Sequence, residues 1–128
     1  MPRVRACLAM RSSDTYRGDV LVVEKDVGGS EFYQLYTLKD GRLTLLTDGK
    51  SRNAINAVSA DGKLLGYSST RRNGADSDLY VIDPRDPASN KLVLQVKGGG
   101  WGLADFAPGN TAAVVGNYVS VQKSDLYW

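Results

Sequence analysis

The stretch "SADGKLLGYSSTRRNGADSDLYVID", Ser59 to Asp83, decides the fold. Asp61-Gly62 supplies a hairpin turn, because glycine accepts the positive φ that such turns require. "KLLGYSST" then reads as a strand, "RRNGAD" as a polar loop and "SDLYVID" as a further strand. Upstream, "NAINAVSA" (Asn53 to Ala60) roughly alternates apolar and polar residues, as a half-buried strand does. Downstream, the Pro84-Pro87 segment separates "SDLYVID" from "KLVLQV", since proline cannot donate to a ladder. The expectation is four short antiparallel strands, the outermost beginning near Lys91.

This phrase has echoes on both sides. Gly18 precedes Leu35-Tyr36, Gly62 precedes Leu79-Tyr80 and Gly109 precedes Leu126-Tyr127, with a glycine-to-tyrosine offset of 18 residues each time. Successive glycines are 44 and 47 residues apart. Two markers that keep their spacing through three units argue for duplicated structure. The first unit offers "DVLVVEKD", "EFYQLYTL" and "RLTLLTD" behind a weak inner strand near Ala9 to Ser13. The third offers "WGLADFAP", "TAAVVGNYVS" and "SDLYW". Helical periodicity and caps are largely missing, and Gly, Asp and Asn punctuate the chain, so the predicted class is all-β.

A repeat of about 40 to 50 residues with four strands per unit is the pattern of a propeller blade. Near-continuous apolar runs, Val20 to Val23 and Leu79 to Ile82, suit sheets covered on both faces; a β-sandwich, the alternative, would alternate more cleanly. The expected blades are about 9–49, 53–98 and 101–128, forming a single partial propeller domain. The outer strand of the third unit is expected beyond Trp128, which leaves the last blade incomplete. Propellers close with about 4 to 8 blades. Either the chain belongs to something longer, or two three-bladed arcs complete a six-bladed ring as a homodimer, since open arcs expose apolar faces and unpaired edges.

"GGSEFYQLYTL", "LLTDGKSRN", "SADGKLLGYSSTRRNGADSDLYVIDPRDP" and "GGGWGLADFAPGN" resemble blades of the TolB-type (WD40-like) β-propeller of prolyl oligopeptidase and dipeptidyl aminopeptidase family serine peptidases. The similarity covers about residues 14 to 128. In that family the propeller sits over an α/β-hydrolase domain and limits which substrates reach its serine. The resemblance therefore implies a non-catalytic access module, with the missing hydrolase as its partner. Two places depart from the family pattern: Pro108-Gly109-Asn110 stands where Pro-Asp-Gly is commoner, and Arg17-Gly18-Asp19 occupies the first unit's turn. An independent protein- or ligand-binding propeller formed by self-association is the other functional expectation.

Composition sets the limits on chemistry. The 128 residues contain no histidine, so no Ser-His-Asp triad can be assembled within the chain. No Gly-x-Ser-x-Gly occurs; "GYSST" around Ser68 lacks the final glycine and lies in a predicted strand. The net charge of +2 predicts no specific attraction to nucleic acid or membrane. One cysteine, Cys7, permits no intrachain disulfide and no multi-cysteine metal site. No apolar run has signal-peptide length, so the expected location is cytoplasmic, a removed signal leaving no trace.

Three further motifs have plain structural readings. "VKGGGWG" (Val96 to Gly102) precedes a predicted strand, not the helix a phosphate loop needs, and reads as an inter-blade connection. "NGADSD" (Asn73 to Asp78) spaces carboxylates like a calcium loop but lacks the later bidentate acid, and reads as a solvated hairpin loop. Tyr33, Tyr36, Tyr80, Tyr127 and Trp101 read first as blade packing, second as a stacking platform. No cofactor or metal is predicted.

In a four-stranded meander, the loop between the second and third strands and the connection to the next unit emerge on one rim. That rim gathers Lys50, Arg52 and Asn53 with Arg71, Arg72 and Asn73, and also Gly28-Gly29 and Lys123. These are the candidate binding residues, for an acidic partner surface or the carboxylate of a peptide.

Overall fold

The computed structural model describes residues 4–9, 21–26, 32–120 and 123–127, of which 4–9, 118–120 and 123–127 are described by backbone alone. The described residues form three antiparallel sheets, each built from strands consecutive in sequence. Sheet one contains β1 (Val4–Ala9), β2 (Leu21–Lys25), β3 (Gln34–Lys39) and β4 (Arg42–Leu45) in that order. Sheet two contains β5 (Asn53–Val58), β6 (Leu65–Ser69), β7 (Asp78–Asp83) and β8 (Asp86–Leu94). Sheet three contains β9 (Trp101–Phe106), β10 (Ala113–Ser120) and β11 (Lys123–Tyr127). A single 3₁₀ turn, Pro108–Asn110, is the one helical feature among the described residues.

Alternation along β6 and β7 buries sheet two on both faces. Leu65, Tyr67, Tyr80 and Ile82 point one way and join Val22 and Leu35 of sheet one, and Leu46 just after it, in the main apolar cluster. Tyr67 and Tyr80 are direct cross-strand partners whose rings stack at 5.4 Å between centroids. Tyr67 is fully buried, and its hydroxyl donates to Asn90 Oδ1 at 2.6 Å, which spares the polar atom a desolvation cost. Gly66 and Leu79 lie on the opposite face. There Leu103 of sheet three covers Gly66 so closely that an added Cβ would sit 3.0 Å from its Cδ1. Fully burying a leucine or isoleucine contributes about 1.5–3 kcal/mol, so both interfaces of sheet two contribute to holding the stack together.

The sheets are also locked by side chains that reach backbone donors. Buried Glu24 of β2 accepts the Ile55 N–H through Oε1 at 2.6 Å. Asn56, the extra residue of a bulge in β5, accepts the Leu103 N–H through Oδ1 at 3.0 Å. Ile55 and Leu103 occupy matching places, each just before a bulge in the first strand of its sheet.

Several expected boundaries shift. The innermost strand of sheet one is Val4–Ala9 instead of Ala9 to Ser13, and residues 10–13 lie outside those described, as does Gly18. β8 begins at Asp86, not near Lys91, and runs through Pro87. Pro87 is tolerated because β8 is an edge strand in the described sheet, paired with β7 alone.

Asp61-Gly62 is not a two-residue hairpin. Gly62 has φ 71° and its N–H reaches Ser59 O, but the loop spans residues 59–64 and Ser59 N–H bonds Leu64 O. The tight two-residue turn is Asp40-Gly41, both left-handed at φ 51° and 77°, between the paired residues Lys39 and Arg42. The counterpart of the 59–64 loop is 107–112, where Ala107 N–H bonds Ala112 O and Asn110 N–H bonds Ala107 O. Asn110, at φ 60°, thus stands where Gly62 stands, and Gly109 is one residue out of step. The two turns touch: Asn110 Nδ2 donates to Asp61 Oδ2 at 2.8 Å.

Gly66→Val is expected to lower the unfolding free energy by about 1–3 kcal/mol, because its methyl groups must displace Leu103. Urea unfolding followed by tryptophan fluorescence measures this, and an unchanged midpoint would mean that the interface yields freely.

Candidate functional site

The connections at residues 46–52, 70–77 and 95–100 meet at one end of the sheets. Arg52 and Thr70 are joined there by two bonds, Thr70 N–H to Arg52 O and Arg52 N–H to Thr70 Oγ1, both 3.0 Å. The third connection is tied in by Ser77 N–H to Gly98 O at 2.9 Å and Gly98 N–H to Asp76 Oδ1 at 2.7 Å. Gly98 and Gly100 hold φ of 77° and 85°, so this glycine segment shapes a connection and leads into strand β9, as its sequence predicts.

The rim residues predicted from sequence divide into two sets. Arg72 is spent internally: its Nε donates to Asp78 Oδ2 at 2.6 Å, and its Nη2 reaches Asp78 Oδ1, Asp76 Oδ2 and Val96 O. Asn73 folds its own loop, accepting the Ala75 and Asp76 N–H groups and donating to Asp76 Oδ2. Asn53 is buried, its Nδ2 donating to Tyr33 O, Gln34 Oε1 and Ser51 O; its Oδ1 is a buried acceptor with no donor among the described residues.

Lys50, Arg52 and Arg71 are exposed. The Arg52 guanidinium lies 4.4 Å above the Phe32 ring, and that of Arg71 lies 5.5 Å above Tyr80. Gly28 and Gly29 lie outside the described residues, and Lys123 opens β11.

The carboxylates of the rim are held by the protein. Residues 73–75 of "NGADSD" are exposed in the loop between β6 and β7, as the sequence predicts, whereas Asp78 opens β7 and its side chain has no solvent exposure. Bonds from Arg72, against burial, hold the Asp78 carboxyl below its ordinary value, and the Val96 N–H adds to this at 2.9 Å. Asp76 is likewise lowered, first by the Gly98 N–H and then by Asn73 and Arg72. Burial pushes Asp48 up, yet the Ser51 hydroxyl, the Lys50 and Ser51 N–H groups and the Arg71 charge together leave it lowered. Among the described residues no group of three or more His, Cys, Asp or Glu side chains gathers as a metal site would.

Sequence reasoning passes over Gln34, which is the hub of the neighbouring corner. Its Oε1 accepts Thr47 Oγ1 at 2.6 Å and the Gly49 N–H at 3.1 Å, while its Nε2 donates to Ser51 O at 2.6 Å. Gln34 and Asp78 hold the same place, immediately before the Leu-Tyr pair, and each fastens the connection leaving its own sheet. The signal was a polar residue before Leu-Tyr in every unit, Gln34, Asp78 and Asp125.

The tyrosines of the repeat also divide. Tyr80 faces the core, whereas Tyr36 faces away from sheet two, with Lys25 Nζ 5.0 Å above its ring. No protein-family model matches the chain, and no curated protein matches it. No helix among the described residues is long and apolar enough to cross a membrane.

Asp78→Asn is expected to lower the urea midpoint at neutral pH. A depressed carboxyl contributes stability above its unfolded value, near pH 4, and loses it as pH falls through the lower folded value. The gap between wild type and Asp78→Asn should therefore narrow on acidification toward about pH 2, measured by urea titration at stepped pH.

Proposed function

We propose that the chain is a non-catalytic β-propeller module, similar to the propeller that controls access to the serine of prolyl oligopeptidase-type hydrolases. The observation that carries this is the repeated step between sheets: Ile55 and Leu103, at matching places in the first strands of successive sheets, each give their N–H to a side chain of the sheet before, Glu24 of β2 and Asn56 of β5. A step repeated in this way supports blades arranged side by side more than the two facing layers of a sandwich. The module's work is admission or positioning of a peptide-like partner. The chain has no histidine, so it cannot build the Ser-His-Asp triad of such hydrolases from its own residues.

A self-closing form of the module is favoured by the outer face of sheet one, against which no other described sheet packs. Tyr36 and Leu45 pair across β3 and β4, as do Leu38 and Leu43, and all four share the face turned from sheet two. Leu43 and Leu45 are each 42% exposed. Tyr36 holds the position that Tyr80 uses to meet a preceding sheet, so this face is shaped to receive another blade, in this form that of a second copy.

Light scattering behind a sizing column tests the reading. The expected result is a particle of about twice 13.8 kDa. A monomer at every concentration that also binds no apolar dye would overturn it, because an open arc of blades cannot hide its end faces.

A further inference from the structure

We propose that Arg52 and Arg71 form a paired anion site on the rim that takes the carboxylates of an acidic peptide. The proposal rests on the module reading for its place on an access rim, and on side-chain geometry for its chemistry. The two arginines are neighbours because Arg52 is bonded through its N–H and C=O to Thr70, the residue before Arg71. Each guanidinium lies over an aromatic ring, Phe32 at 4.4 Å and Tyr80 at 5.5 Å. Stacking occupies the flat face of a guanidinium and leaves its N–H edge for planar bonding to a carboxylate, Arg71 giving part of that edge to the Tyr67 hydroxyl. It also fixes the side chain beforehand, which reduces the ordering cost of binding.

The carboxylates around the two arginines have hydrogen-bond partners of their own. The Asp78 and Asp76 carboxylates are engaged by Arg72. Asp48, the acid whose field reaches Arg71, turns Oδ1 to the Lys50 and Ser51 N–H groups and Oδ2 to Ser51 Oγ. Lys50 is exposed two residues from Arg52 and adds a further positive charge. Phe32, 37% exposed, offers an apolar contact beside the Arg52 charge.

A carboxylate fits better than a phosphate. Phosphate cradles converge several free backbone N–H groups on one point. Here the rim N–H groups of Lys50, Ser51, Arg52, Ala75, Asp76 and Gly98 are already bonded within the protein. The donors of the proposed site are instead the guanidinium forks of Arg52 and Arg71, whose planar shape matches a carboxylate.

The test is fluorescence anisotropy of fluorescein-labelled hexaglutamate on the full chain, with hexaglutamine as the uncharged control. Arg52→Gln with Arg71→Gln is expected to weaken hexaglutamate binding at least about tenfold. Lys63→Gln with Lys91→Gln, which removes equal charge away from the rim, is expected to change it less than about twofold. Arg52→Lys with Arg71→Lys should fall between, since ammonium groups keep the charge but lose the fork. Equal losses in the first two double variants, binding of hexaglutamine as tight as hexaglutamate, or displacement by inorganic phosphate more readily than by acetate would overturn the proposal. Solution mass and far-ultraviolet dichroism of Arg52→Gln with Arg71→Gln report on the module separately, so loss of the site and loss of the assembly are read by different instruments.

Discussion

The rest of the structure depends on one requirement, that a first strand laid against a neighbouring sheet must still satisfy its outward N–H groups. Ile55 and Leu103 each face this problem, and each finds an acceptor on the sheet before it, Glu24 Oε1 or Asn56 Oδ1. An unpaired buried N–H costs about 1–3 kcal/mol, so the sheets cannot slide or splay without losing these bonds together with the apolar contacts beside them. The bulge at Asn56 is what aims that side chain across the interface. A local irregularity in one strand therefore fixes the placement of the next sheet.

How much of this was legible in the sequence follows from which forces are local. Strand content and the order of the meanders could be read because alternation, apolar runs and glycine turns act over a few residues. The tyrosine repeat was legible for the same reason, Tyr80 being a cross-strand partner of Tyr67. Turn geometry was less so: Asp40-Gly41 and Asp61-Gly62 are the same dipeptide, yet only the first closes a two-residue hairpin. The difference lies in Ser59, whose hydroxyl and backbone bind Asp61, Gly62 and Leu64 and hold a wider loop. The start of β8 was misplaced because proline forbids a ladder bond only where a partner strand lies on that side.

The rim shows why a count of charges does not define a site. Six candidate residues cluster in sequence as Lys50, Arg52, Asn53 and Arg71, Arg72, Asn73. The structure brings both groups to one end, but Asn53 holds the Tyr33 and Ser51 carbonyls and Arg72 neutralises a buried aspartate. No one-dimensional pattern separates Arg71 from Arg72. What separates them is the carboxylate of Asp78 in the strand that follows, whose position depends on the pairing of Ser69 with Asp78.

Because every ladder joins strands adjacent in sequence, the chain closes only short loops as it folds. Each meander can form on its own before docking, in the manner of repeat proteins whose stability is a sum of units and nearest-neighbour interfaces. Sheet two, with an interface on both faces, is then the cooperative centre, and its amide protons should be the last to exchange with solvent, opening only when the whole array opens.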